Sequence, residues 1–214
     1  NLMFIQEKYL FAFYQWSDSS LQVFEISDSS TVESLGRYAL PSEWPQRVHK
    51  SGNLFYHASK DSVTILDRTN PAEVMTKATI PLPGIQSAAG IDSTLIAGTE
   101  DSLFVFNISN LENPSQIYKS DFPRSSGIAF KDNLAFIGVH EFPDIGIKTL
   151  DISDPSNPQE LSFIETAHVD GNVTAYQNPS YLALQENLLF VGTDGEKSLF
   201  SFDVTDPANP QEIG

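Results

Sequence analysis

The stretch 147–158, IKTLDISDPSNP, returns in close versions five times along the chain and decides the fold. The copies align on one acidic or amide residue, which we call the anchor. The anchors are Glu25, Asp67, Asn107, Asp151 and Asp203. By subtraction of their numbers they lie 42, 40, 44 and 52 residues apart. A repeat of this length indicates a solenoid, a propeller or another repeat array.

Each copy of the motif encodes a strand, a turn and a second strand. The five residues ending at the anchor are β-branched and aromatic, as in LFVFN before the third turn, and such a run is typical of a buried strand. We expect the Asp or Asn to accept hydrogen bonds from nearby backbone N–H groups, while Pro presets φ for a tight turn. A second Pro, such as Pro158, stands where a new strand begins and its missing N–H costs nothing.

A second repeated feature lies upstream of each anchor. Pairs of turn-forming residues separate two short apolar runs, which indicates a β-hairpin. The pairs are Glu7-Lys8, Gly52-Asn53, Asp92-Ser93, Asp132-Asn133 and Glu186-Asn187. Each repeat therefore contains an inner strand, a hairpin, a second strand, a third strand, the anchor turn and an outer strand. Four-stranded units of about 40 residues are the blades of a β-propeller.

The repeats predict an all-β protein with almost no helix, because no window places apolar residues at the helical spacing of 3.6. We expect a single β-propeller domain of four-stranded antiparallel blades, five of them in this chain. The predicted blades are 1–40, 41–81, 82–122, 123–166 and 167–214. Two alternatives stay open at this point: five blades that close a ring, or a chain that is an excerpt of a longer protein with a larger propeller.

The segments LFVFNIS, IKTLDISDPSNP and LFSFDVTDPANP resemble LVIVD repeats. This resemblance covers essentially the whole chain and implies propeller blades, but it implies no reaction. The family occurs in bacterial and archaeal proteins, many of them secreted or attached to the surface, so it implies a secreted or cell-surface location. The first two copies depart from the pattern, since Glu25 replaces the expected anchor and Arg68 replaces an apolar residue.

The composition excludes several classes of function. With 12 basic and 28 acidic residues the net charge is −16, which disfavours nucleic acid and anionic membrane surfaces as partners. The absence of cysteine excludes a disulfide framework, thiol catalysis and a cysteine-based zinc site. The sequence contains no run of 18 apolar residues that would suit a membrane span.

The loops between second and third strands repeat an acid. These acids are Asp18, Asp61, Asp101, Asp144 and Asp194. A ring of carboxylates suits Ca²⁺, which takes six to eight oxygen ligands. The dense D-x-D-x-D spacing of a dedicated loop is missing, however, so turn chemistry is the favoured interpretation. We therefore predict no metal and no cofactor.

The loops that lead into the inner strands vary most between repeats, and variable loops on a rigid scaffold usually carry binding. They bring aromatic and charged side chains to one rim, which suits a sugar or peptide ligand. The predicted ligand-binding residues are Trp44, Phe122, Arg124, His168, Asp170 and Tyr176. The alternative is that Trp44 and Phe122 cap the core between blades. The fifth repeat is longer by about ten residues in this rim, so 166–179 is the best candidate for a specialised contact.

A polar column begins the inner strands when the repeats are aligned on their hairpins. Its members are Asn1, Gln46, Gln86, Ser126 and Ser180. We expect these uncharged groups to ring the mouth of a central channel, where they could hold water, an ion or a ligand hydroxyl. The alternative is that the channel mouth is simply wet, as in any propeller.

The sequence gives catalysis little support, because its four histidines are scattered and no G-x-S-x-G or H-E-x-x-H motif is present. The favoured hypothesis is a non-enzymatic secreted or cell-surface propeller that binds a protein or glycan partner through the rim. One alternative is a carbohydrate-active hydrolase or lyase that uses Asp121, Asp170 and Asp194. The other is a structural subunit that self-assembles into an extracellular layer or filament.

Overall fold

The structure, a computed structural model, describes residues 2–14, 19–27, 31–40, 47–141, 144–166, 168–170, 173–175, 178–194 and 199–214, with the backbone alone for 168–170 and 173–175. All regular elements in these ranges are β-strands. They are β1 (Leu2–Gln6), β2 (Tyr9–Tyr14), β3 (Ser20–Ile26), β4 (Val32–Ala39), β5 (Arg47–Ser51), β6 (Leu54–Ser59), β7 (Ser62–Asp67), β8 (Met75–Pro81), β9 (Ser87–Ile91), β10 (Thr94–Gly98), β11 (Ser102–Asn107), β12 (Ser115–Asp121), β13 (Ser125–Lys131), β14 (Leu134–Glu141), β15 (Asp144–Asp151), β16 (Gln159–Glu165), β17 (His168–Asp170), β18 (Val173–Ala175), β19 (Asn178–Gln185), β20 (Leu188–Asp194), β21 (Leu199–Asp203) and β22 (Gln211–Glu212). A search of the described residues for a helix long and apolar enough to cross a membrane finds none.

The strands form five four-stranded antiparallel sheets, and each sheet keeps the order of the sequence. The blades are β1–β4, β5–β8, β9–β12, β13–β16 and β19–β22. The predicted all-β propeller of five four-stranded blades is therefore confirmed. The extra residues of the fifth repeat form a short antiparallel hairpin, β17 with β18, ahead of the last inner strand.

Each inner hairpin turns at one of the predicted residue pairs. The first residue of all five pairs lies in the left-handed region. The φ values are 53° at Glu7, 52° at Gly52, 49° at Asp92, 50° at Asp132 and 55° at Glu186. Glycine adopts this conformation readily, whereas an L-residue with a Cβ loses roughly 1–2 kcal/mol. Glutamate lacks the local hydrogen bonding that helps aspartate there, so Glu7 and Glu186 are the strained copies.

The anchor turns are held by the hydrogen bonds that the motif predicts. In the second to fifth blades the anchor Oδ1 accepts the backbone N–H two residues later at 2.8 Å. The donors are Thr69, Ser109, Ser153 and Thr205. Hydrogen bonds from Ser153 lower the pKa of Asp151, and those from Thr205 lower the pKa of Asp203. The ionised carboxylate is thus part of the turn.

The hydrophobic core lies between neighbouring blades rather than within any one of them. On β10, Ile96 packs towards the fourth blade, while Leu95 and Ala97 pack towards the second. The period of two in a strand sends successive side chains to opposite faces, and both faces are covered. Four such clusters join the five blades in chain order.

The first and last blades each expose large apolar side chains. Met3 and Ile5 on β1 are 69% and 67% exposed. Leu2 and Phe4, which alternate with them, pack into the core cluster between the first and second blades. Tyr181 and Leu199 in the last blade are 64% and 69% exposed. Within the described residues, each of the four core clusters joins consecutive blades and none joins the fifth to the first.

The atypical residue Arg68 lies inside the core between the first and second blades and is 3% exposed. Its guanidinium carbon is 5.2 Å from the centroid of the Phe11 ring and 5.0 Å from that of Phe55. One Nη donates to the carbonyl of Gly52, whereas Nε has no hydrogen-bond partner among the described residues. Burial lowers the pKa of Arg68. Contacts with aromatic faces therefore replace the aliphatic packing of the other copies.

Candidate functional site: a central cavity

A cavity of about 570 Å³ lies where the inner strands of all five blades converge. It is lined by Leu2, Arg47, Val48, His49, Gln86, Ser87, Ala88, Arg124, Ser125, Ser126, Gly127, Ile128, His140, Ser180, Tyr181, Leu182 and Asp194. Most of these residues stand at or just before the first residues of β5, β9, β13 and β19. The start of each inner strand therefore aims its side chains at one shared space.

Small polar groups line much of the cavity wall. The hydroxyls of Ser87 and Ser125 are hydrogen-bonded at 2.7 Å between the third and fourth blades. The hydroxyl of Ser126 donates to the carbonyl of Pro179. The hydroxyl of Ser180 donates to Oδ2 of Asp194 at the end of β20. Because these side chains are short, they leave open volume while still offering oxygen atoms to a ligand.

Two arginines reach the cavity from different blades. Arg47, half-buried on β5, donates from Nη1 to the carbonyl of Ser180 at 2.7 Å, although the two residues are 133 positions apart. Its guanidinium carbon lies 6.0 Å from the ring centroid of Tyr181. Arg124, exposed just before β13, donates from Nη2 to Oε1 of Gln86 at 3.0 Å. Ion pairs occur elsewhere among the described residues, but none of them involves Arg47 or Arg124.

The charges at the cavity are mainly positive. Burial lowers the pKa of Arg47, and the neighbouring Arg124 lowers it further, while Tyr181 and Asp194 act in the opposite direction. Burial also lowers the pKa of His140 and brings that of His49 to about 4, so both imidazoles are neutral at pH 7. Two guanidinium groups thus face one lining carboxylate, in a protein whose net charge is −16.

The structure separates the six predicted ligand-binding residues. Arg124 lines the cavity. Phe122 is partly buried against the core between the third and fourth blades, and it borders a shallow second pocket. His168 and Asp170 lie on β17, where only the backbone is described, and Trp44 and Tyr176 lie outside the described residues.

The polar column at the start of the inner strands is represented in the cavity wall by Gln86, Ser126 and Ser180. Asn1 and Gln46 lie outside the described residues. Sequence reasoning missed Arg47, which occupies the position after this column. The other members of that next column are Leu2, Ser87, Gly127 and Tyr181. A single charged residue in an otherwise uncharged column is the signal that could have revealed it.

Acidic residues of the strand-connecting loops do not gather into a metal site in the part of the chain that the structure describes. No group of three or more His, Asp or Glu side chains is close enough there to hold an ion. Asp194 instead lines the central cavity, whereas Asp101 and Asp121 border the shallow second pocket.

Five four-stranded antiparallel sheets arranged around a central cavity define a β-propeller. Residues 124–166, which span the fourth blade, match the LVIVD repeat. The chain is thus a β-propeller with an LVIVD repeat in its fourth blade. A comparison with curated proteins gives no match.

Several solved structures share the fold. A Lactobacillus plantarum protein is 18% identical with a TM-score of 0.77, over 97% of this chain and 67% of its own. A functionally unknown protein from Desulfotomaculum acetoxidans is 12% identical with a TM-score of 0.71, over 99% and 68%. The periplasmic gluconolactonase of Pseudomonas aeruginosa is 14% identical with a TM-score of 0.69, over 97% and 68%. The chain thus spans about two thirds of their length, and identities this low show the fold alone.

Proposed function

We propose that the protein is a non-enzymatic binding propeller, secreted or at the cell surface, that holds part of a glycan in its central cavity. The observation that carries the proposal is the convergence of all five inner strands on this cavity. Hydroxyl, amide and guanidinium groups in its wall match the hydroxyls of a sugar. Tyr181, well exposed at the cavity, offers a ring face for stacking on a sugar ring.

The shape of the site favours a glycan over a protein partner. Small-ligand sites are concave and typically enclose about 300–1,000 Å³, a range that contains this cavity of about 570 Å³. A stable protein interface instead needs a broad patch of roughly 800 Å² on each partner, with aromatic anchors in its centre. Short serine side chains in a recess are typical of a small-ligand site rather than of a protein interface.

The secreted or cell-surface location rests on the repeat family and agrees with the strongly acidic composition. It is tested in the natural host by fractionating the cells and detecting the endogenous protein. Recovery in the medium or the envelope would agree with the proposal. Recovery only in the cytoplasm would contradict it.

Glycan binding is tested by titrating a panel of oligosaccharides into the protein and measuring heat. We expect saturable binding of at least one of them. Tyr181→Ala should weaken it by about fivefold, because stacking on an aromatic ring contributes on the order of 1 kcal/mol. The matched control is Val32→Ala, which truncates another exposed side chain on an outer strand away from the cavity. Absence of binding across the panel, or equal effects of both variants, would refute the proposal.

A second candidate function is hydrolysis of a sugar derivative. The specific observation is that a carboxylate, Asp194, and a neutral imidazole, His140, line the same cavity. One protein with this fold is named a gluconolactonase. The test is to incubate the protein with glycans and sugar lactones and to follow acid release. A rate that Asp194→Asn abolishes would support the enzyme and overturn the non-enzymatic proposal.

A further inference from the structure

Arg47 and Arg124 are two of only 12 basic residues in the chain, yet both reach the same cavity. A guanidinium carries five N–H donors, and each of these two makes one side-chain hydrogen bond to a described residue. Both acceptors, the carbonyl of Ser180 and the amide of Gln86, are neutral. Donors and positive charge are therefore available to a ligand.

The two guanidinium groups also carry like charges, and Arg124 lowers the pKa of Arg47 in addition to the effect of burial. A protein that places like charges at one half-buried site normally supplies an anion to offset them. The lining carboxylate, Asp194, is hydrogen-bonded to Ser180 and forms no ion pair with either arginine among the described residues. Among the described lining residues Asp194 is thus the one carboxylate set against two guanidinium groups, while Glu141, outside the lining, accepts the backbone N–H of Arg124 at 3.3 Å.

We propose that the cavity binds a carboxylate-bearing sugar, a uronic acid residue, with its carboxylate between Arg47 and Arg124. This inference rests on the proposed glycan-binding function and names its ligand class. Guanidinium groups match the geometry of a carboxylate and bind it through paired, charge-assisted hydrogen bonds. Gln86 and the Ser180–Asp194 pair remain for the sugar hydroxyls.

The balance of charge favours a single negative charge on the ligand. Two guanidinium groups and one carboxylate leave one positive charge in the lining, with His49 and His140 neutral. A uronate, which carries one negative charge, compensates it. A phosphate monoester carries nearly two negative charges at pH 7 and would lie close to Asp194, so it suits the site less well.

The experiment compares oligogalacturonate and oligoglucuronate with their methyl esters in calorimetric titrations of the intact protein. The acids should bind more tightly than the esters by about tenfold or more, because hydrogen bonds between a guanidinium and a carboxylate are stronger than those to a neutral ester. Arg124→Gln should weaken binding of the acid by roughly 10- to 100-fold and binding of the ester by much less, since the ester keeps its hydroxyl contacts but has no carboxylate to lose. Lys119→Gln is the matched control, since it removes one positive charge from an outer strand away from the cavity.

Arg47→Gln provides a second variant, with a thermal unfolding curve to show that it folds, because Arg47 also bridges two blades. Two results together would overturn the uronate inference but leave glycan binding intact. The acid and the ester would bind equally well, and Arg124→Gln would bind the acid no more weakly than Lys119→Gln does. If neither the acids, nor the esters, nor any member of the wider oligosaccharide panel binds to the protein, the glycan function is overturned as well. Tighter binding of glucose 6-phosphate or inorganic phosphate than of the uronates would assign the site to a phosphate and overturn the carboxylate.

Discussion

His57 makes the stability of the propeller depend on pH. It lies on β6 in the second blade, is 1% exposed, and neither ring nitrogen has a hydrogen-bond partner among the described residues. Its ring stacks on Phe13 of the first blade, with centroids 6.5 Å apart and an interplanar angle of 14°. Burial lowers its pKa from 6.5 to about 4. The folded protein therefore keeps a neutral imidazole between two blades.

The lowered pKa of His57 determines the direction of the effect. In the unfolded chain His57 binds a proton as the pH falls below its ordinary pKa of 6.5, whereas the folded protein resists protonation down to about 4. Stability is thus complete above pH 6.5, falls between pH 6.5 and 4, and loses nothing further from this residue at lower pH. A difference of about 2.5 pKa units corresponds to roughly 3 kcal/mol in the free energy of unfolding.

The assay is urea unfolding at several pH values between 7 and 4.5 for the wild type and His57→Leu. Over this interval His57 should account for roughly 2–3 kcal/mol of the stability that the wild type loses, and the variant should lose less by nearly that amount. His49, whose pKa is also about 4, should add to the loss equally in both proteins. Comparing the slopes of unfolding free energy against pH for the two proteins removes any pH-independent effect of the substitution on stability. The anchor aspartates interfere little, because their pKa values lie below their ordinary value of 3.8.

His140→Gln serves as the control, since His140 is only half-buried at the cavity. It should change the slope much less than His57→Leu does. Parallel slopes for the wild type and His57→Leu would refute the reasoning, because they would mean that the folded protein accommodates the protonated His57.

Three further predictions concern stability, each measured by urea unfolding at pH 7. Arg68→Ile, which installs the residue of three other copies, should stabilise the protein by about 1 kcal/mol, since a buried guanidinium with an unpaired Nε is removed; a loss would show that its aromatic contacts dominate. Glu186→Gly should stabilise by about 0.5–1 kcal/mol and Gly52→Ala destabilise by about 1 kcal/mol, because both positions have positive φ; equal signs would contradict the strain argument. Asp203→Ala should lower the urea midpoint of unfolding by removing the acceptor of Thr205 N–H and Oγ1, whereas an unchanged midpoint would contradict a structural role for the anchor.

The fold could be predicted from the sequence because each blade carries its own local signals. The hairpin pair at 132–133 and the anchor turn at Asp151 each act over a few residues, and both recur at matching positions in the other repeats. A run of four strands that cannot bury both faces alone must stack against similar units. The turn-forming residues and the regular spacing of the repeats were sufficient to predict the fold.

The site was harder to predict, because it depends on contacts between blades that are far apart in the chain. Arg124 could be selected as a charged residue in a variable loop, and it lies at the cavity. The contact from Arg47 to Ser180 spans 133 positions and follows only from the arrangement of the blades around the cavity. Phe122, chosen from the same loop as Arg124, packs against a core instead. Composition of a loop does not determine which of its side chains turns inward.

Arg47 and Arg68 show how an exception in a repeat should be interpreted. Each is a charged residue in a column that is uncharged in the other copies. The guanidinium of Arg68 is buried between two phenylalanine rings and beside a carbonyl, so the protein itself surrounds it and its role is structural, although its Nε has no partner among the described residues. The guanidinium of Arg47 borders open volume, and the described lining there sets two guanidinium groups against one carboxylate. A departure from the repeat therefore indicates ligand binding only where the altered side chain faces a space that the protein does not fill.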